Sequence, residues 1–155
     1  MVEDDGVDLI HMAGADSSVR LRVLGRHIPG ATPYNDYLGA EIIVTSGFAN
    51  GRLEVRLSPE DLDDWHSALD ELAAGSAVRW LRNTEIRIEI DRQFSVPVPI
   101  VTRHGKGRSR VDLLVRVWLD VGHGWVDDLR RQYEQVRRTW PNEVVTSPRA
   151  LNYWR

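Results

Sequence analysis

The residue types that could do chemistry are present but not at catalytic spacings. Five histidines, His11, His27, His66, His104 and His123, are scattered along the chain. None pairs as H-x-x-x-H and no H-E-x-x-H occurs, so the sequence carries no zinc pattern. Cysteine is absent, which excludes disulfides, thiolate metal sites and cysteine nucleophiles. The G-x-S-x-G nucleophile elbow is missing. Gly105-Lys106-Gly107-Arg108-Ser109 has the residue types of a phosphate loop, but lacks its spacing and precedes a strand rather than a helix. No catalytic residue, metal ligand or cofactor is therefore assigned. The chain reads as a non-enzyme, with a site assembled from distant residues left open.

Other groups suit recognition better than catalysis. Glu60, Asp61, Asp63, Asp64, Asp70 and Glu71 crowd one segment. They read either as a solvated helix face with dipole-favouring residues in its first turn, or as a negative patch for a basic partner. Asp61, Asp64, Asp70 and Glu71 are the acidic candidates for partner contact. Tyr34 and Tyr37, in a Pro- and Gly-rich loop, and Tyr153 and Trp154, near the C-terminus, are the aromatic ones, since exposed aromatics anchor many interfaces. Each pair could instead fold back onto the domain. Arg103, Lys106, Arg108 and Arg110 form a basic loop that is either a simple hairpin connection or a contact for a small anion or RNA phosphate.

Composition limits these readings. The 155 residues make one ordinary domain, taken as 1–155 with residues 1–6 and about 142–155 as flexible or extended tails. A hydrophobic fraction of 42% and a charged fraction of 28% are those of a globular chain. The net charge of −3 argues against bulk attraction to nucleic acid. No apolar run approaches the roughly 18 residues of a membrane span, and the acidic start, Met1 to Asp5, is unlike a signal peptide. A cytoplasmic location is the expectation. Lys106 is the lone lysine among the basic residues, a whole-chain bias better matched to a GC-rich genome than to any one site.

The elements that must position these groups follow from periodicity. Val19, Leu21 and Val23 alternate with Arg20 and Arg22 as in a half-buried strand. Leu38 to Ser46, a turn around Asn50-Gly51, and Arg52 to Leu57 predict a hairpin. Ser58 as N-cap, Pro59 at the first helical position and Leu62, Trp65, Leu69 and Leu72 on one face predict a helix that stops at Gly75. Short strands are expected at Val7 to Ile10, at Ala77 to Leu81 and around Ile86, Ile88 and Ile90. Pro97 and Pro99 predict an edge position for the strand from Val96. Val111 to Val121 is apolar on both faces and predicts a mid-sheet strand. A second helix is expected from about Trp125 to Thr139, ended by Pro141. Trp65, Trp118, Trp125 and Trp140 are expected in the core, while Trp80 fits either environment. The fold class is α+β: a mainly antiparallel sheet of about six to seven strands with two helices packed on one face.

Two stretches resemble a family of uncharacterised actinobacterial proteins. One is Tyr37 to Trp65 (YLGAEIIVTSGFANGRLEVRLSPEDLDDW), with an aspartate before it; the other is Trp140 to Val145 with Thr146-Ser147-Pro148. More distantly, the first is similar to immunity proteins that neutralise wall-associated contact-dependent toxins. The resemblance lies in turns, caps and core positions, so it implies a fold and transfers no catalytic residue. The leading expectation is a non-enzymatic protein-binding domain of the toxin-immunity type, with another protein as partner, a homodimer allowed and no membrane contact. The alternative is an accessory domain that binds a small molecule or RNA through the 103–110 loop.

Overall fold

The alternating stretches fold as antiparallel meanders in a computed structural model that describes residues 6–30, 32–81, 85–93, 96–104 and 111–144. The first meander comprises β1 (Val7–Ala13), β2 (Ser18–Arg26), β3 (Leu38–Thr45) and β4 (Asn50–Leu57), paired in the order β1-β2-β3-β4. The predicted hairpin is β3–β4, with Ala40 opposite Val55 and Ile42 opposite Leu53. Period two then puts Leu38, Ala40, Ile42 and Val44 on the buried face.

Helix α1 (Pro59–Ala73) follows. Its start is the capping box written in the sequence: Ser58 Oγ accepts from Asp61 N at 3.1 Å, and Asp61 Oδ2 accepts from Ser58 N at 2.9 Å. Leu62, Trp65, Leu69 and Leu72 are all buried. The second meander is β5 (Val78–Trp80), β6 (Ile86–Gln93), β7 (Val96–His104) and β8 (Val111–Arg116), in the order β5-β6-β7-β8. Helix α2 (Trp125–Thr139) is the last element of the described residues, with Leu129 and Val136 in the core.

Four expectations are corrected. The strands form two four-stranded sheets rather than one sheet of six to seven. The break falls at α1, which ends one meander and starts the next. The helices do not share one sheet face: α2 packs on β1, while α1 packs on β5 and against α2. A single cluster of buried apolar residues still joins both sheets and both helices.

The third correction concerns the prolines. β7 lies between β6 and β8 and is not an edge strand. Pairing with β8 covers only Ile100 to His104, so Pro97 and Pro99 occupy the half of β7 that β8 does not reach. The missing N–H groups therefore cost little ladder bonding, and the proline rule holds for that half alone.

The fourth concerns the apolar run from Val111. It is not a mid-sheet strand; β8 stops at Arg116 and terminates its sheet. Leu114 is 57% exposed and Trp118 is 56% exposed, so Trp118 is no core residue. Trp80 is buried beside Trp65, with ring centroids 4.9 Å apart and its Nε1 donating to Asp61 O.

Candidate functional site

Residues on the inner faces of β3 and β4 build one wall of an apolar cleft of about 500 Å³. Ile42, Val44 and Leu53 supply its side chains. Gly51, opposite Val44 in the register, supplies none. A Cβ built on Gly51 would meet no atom within 4 Å, so the glycine leaves open space. The opposite wall comes from the other sheet, where Val101 and Val115 are cross-strand partners and Leu113 and Val117 flank them. Each of the strands β4 and β8 ends its sheet, and both border this cleft.

The rim is polar and aromatic. Arg52, Arg116, Ser46 and Asn50 lie along it, with Trp118 at one side. Arg52 is 3.6 Å from Glu41. The β3–β4 turn stands next to the cleft and is held by Ser46, whose Oγ donates to Ala49 O at 2.8 Å and accepts from the Phe48 and Ala49 N–H groups. That rigid turn holds Phe48 fully in solvent, at 100% exposure. Together with Leu113 and Trp118, it makes the cleft side rich in exposed large apolar groups.

Chemically, the cleft suits binding. Among the described residues, its lining includes no histidine or carboxylate, and Ser46 is occupied by its turn. Its volume falls within the roughly 300–1,000 Å³ of ligand-binding clefts. Among the described residues, no group of three or more His, Asp or Glu could hold a metal ion.

The candidate residues read from the sequence lie elsewhere and do not converge. Tyr34 is 54% exposed and meets Tyr37 edge-on at 5.3 Å in the β2–β3 loop. That loop enters β3 at the end opposite Phe48, so eight residues of strand separate them by about 25 Å. Asp61, Asp64 and Glu71 border a separate hollow of about 320 Å³ with Arg79, Trp80 and Leu81. Asp70 is turned away and bonds Arg130 of α2 at 3.0 Å. Arg103 is exposed near the end of β7. Lys106, Arg108, Arg110, Tyr153 and Trp154 lie outside the described residues, as do residues 1–5 of the expected N-terminal tail.

The expected C-terminal tail starts as a docked segment. Asp36 is 4% exposed and accepts the backbone N–H groups of Glu143 at 2.8 Å and Val144 at 2.9 Å. Arg26 Nη1 donates to Asp36 at 3.1 Å, while Arg26 Nη2 donates to Pro141 O and is 2.5 Å from Glu143 Oε1. Burial pushes the Asp36 carboxyl up, but the two backbone donors, Arg26 and Asn35 outweigh it and hold the group below the ordinary carboxylate range. Helix and sheet periodicity gave no sign of this clamp.

The cleft was also missed in sequence, although two signals mark it. Phe48 is a large apolar residue in a turn, and Leu113-Leu114 and Val117-Trp118 break the alternation that an ordinary edge strand would show.

The chain belongs to a family of unknown function (DUF5959), whose model matches residues 7–141. No curated protein and no solved structure matches it. The match runs from β1 through α2 to Pro141, so it includes the cleft, the acidic hollow and the Asp36 loop. Among the described residues, no helix is long and apolar enough to cross a membrane.

Proposed function

We propose that this chain is a non-enzymatic protein-binding domain whose working surface is the cleft between β4 and β8 and its aromatic rim. The observation that carries the reading is the exposure of Phe48 beside an apolar cleft with no acid–base group among its described lining residues. A fully solvated phenylalanine held on a rigid turn gains nothing for the fold. It gains by burial against a partner, where aromatic side chains contribute most of the energy of many interfaces. A site for a small ligand alone would need the cleft and not the protruding ring.

Toxin neutralisation is the narrower form of this proposal. It draws on the sequence resemblance and on the hollow beside Asp61, Asp64 and Glu71, which would meet a basic partner by charge complementarity.

The test is a photo-cross-linking amino acid placed at position 48, with position 134 on the exposed face of α2 as control. An adduct with one protein from host lysate at position 48, absent at position 134, is the expected result. Equal labelling at both positions would defeat the proposal. Charge reversal at Asp64 and Glu71 separates the narrower form: loss of the adduct supports a basic partner, and its survival rejects one.

A further inference from the structure

The charges around the β4–β8 cleft are not those of the chain as a whole. The chain carries 23 acidic and 20 basic residues, yet the described lining of the cleft holds two arginines, Arg52 and Arg116, and no carboxylate. Strand geometry fixes where they stand. Successive side chains of a strand point to opposite faces, so Arg52 alternates with Leu53, and Arg116 with Val115 and Val117. Leu53, Val115 and Val117 line the interior, while Arg52 on β4 and Arg116 on β8 flank the mouth from its two walls.

Neither arginine is used up by the fold. Arg116 is exposed, and among the described residues its side chain has no ion-pair or hydrogen-bond partner. Arg52 reaches Glu41 at 3.6 Å with 64% of its side chain exposed, and so open a pair contributes little. Glu54 of β4 lines a separate hollow with Arg56 and His27, and Glu89 of β6 faces Arg79 at 3.5 Å.

An occupant must then offer two chemistries side by side. Apolar side chains match the walls of Ile42, Val44, Leu53, Val101 and Val115, and carboxylates match the two cations at the mouth. A fatty acid supplies both, but leaves Phe48 and Trp118 beside the cleft in water. A protein segment covers those rings as well.

We infer that the cleft takes an acidic, apolar-centred segment of a partner protein, whose apolar side chains enter between Leu53 and Val115 and whose flanking carboxylates meet Arg52 and Arg116. The inference rests on the cleft being the partner surface and adds the chemistry of the partner. The apolar walls supply the holding energy. The arginines supply selection and faster encounter, the main effects of complementary rim charge. This surface is separate from the acidic hollow at Asp61, Asp64 and Glu71.

Random peptides displayed on phage and selected on the full chain test this. The expected winners carry a large apolar residue beside Asp or Glu. Synthesised, they should bind wild type and lose about tenfold or more in affinity for the double variant Arg52→Glu, Arg116→Glu, while Arg52→Lys with Arg116→Lys retains them. Their association with wild type should slow as salt rises, and the double variant should lose that dependence. Gly51→Trp should abolish binding, and Asp64→Lys with Glu71→Lys should leave it unchanged. Thermal midpoints check that each variant is folded. Winners without acidic residues, or affinities indifferent to the double variant or to Gly51→Trp, overturn the inference. Where no peptide is selected, arginine-dependent binding of decanoate makes the cleft a small-anion site, and self-association lost with Gly51→Trp makes it an interface between copies. Either result, or neither with no peptide, also overturns it.

The position-48 cross-link reads the broader proposal separately. A partner captured there as well by the Arg52→Glu, Arg116→Glu variant as by wild type leaves the partner surface standing and removes only its acidic preference. Acidic peptides that depend on both arginines, with equal labelling at positions 48 and 134, remove only the role given to Phe48.

Discussion

Asp36 Oδ2 accepts the backbone N–H of Val144 at 2.9 Å, joining segments 108 residues apart. The aspartate before Tyr37 and the Pro141 to Val144 part of the second resembling segment are therefore two halves of one structural clamp. Arg26 completes it from the end of β2. The clamp ties the chain beyond α2 back to the loop that enters β3.

Replacing Asp36 with alanine should be among the more damaging single changes in the chain. It would leave two backbone donors unpaired and remove a charged partner from Arg26, which is itself 13% exposed. A loss of about 3 kcal/mol is expected, read from urea unfolding midpoints.

The same carboxylate sets an acid limit on stability. Its folded pKa lies below the unfolded value near 3.8. Its contribution is therefore fully present above the unfolded pKa and fades as pH falls from about 4 through the folded pKa. Wild type and Asp36→Asn should differ by a constant amount from pH 5 to 7 and converge below about pH 4, measured by chemical denaturation at each pH.

Tryptophans should divide sharply by position. Trp65 is fully buried against Trp80, whereas Trp118 stands at the cleft rim. Trp65→Ala should cost about 3–5 kcal/mol. Trp118→Ala and Phe48→Ser should stay within about 0.5 kcal/mol of wild type, as surface changes do. Thermal unfolding of the three variants checks the contrast.

Gly51→Trp should fill the cleft without unfolding the protein. The position does not have a left-handed φ, and a Cβ there meets open space. Its thermal midpoint should equal or exceed that of wild type, because the new ring covers Val44, Leu53 and Val115. A large fall in the midpoint would mean that the cleft is closed in solution.

Local rules carried much of the fold. The β3–β4 hairpin and both helices follow from alternation, caps and helical spacing, which act over a few residues. The turn expected around Asn50-Gly51 falls instead at Ser46 to Ala49, and Asn50 and Gly51 pair with Thr45 and Val44 as the start of β4. What escaped was set by long-range packing. The division into two sheets depends on where α1 turns the chain, and α1 looks the same in either arrangement. Pro97 and Pro99 suggested an edge strand, which β7 is not, because nothing local reveals that β8 pairs with its Ile100 to His104 half. Trp118 looked like core because an apolar run reads alike whether its strand is central or terminal.

The acidic candidates were legible as residues but not as a group. Asp61 closes the helix cap while also bordering the hollow with Asp64 and Glu71, and Asp70 pairs with Arg130 instead. The cleft joins residues more than 50 positions apart, with Gly51 contributing through the absence of a side chain. Such a space has no signature at the level of spacing.

The most direct test of the central claim compares proteins captured from host lysate by wild type and by Gly51→Trp, after both are shown to be equally folded. The cleft account requires at least one protein retained stoichiometrically by wild type and lost with Gly51→Trp. Identical captured sets would contradict it and move the working surface away from the β4–β8 cleft.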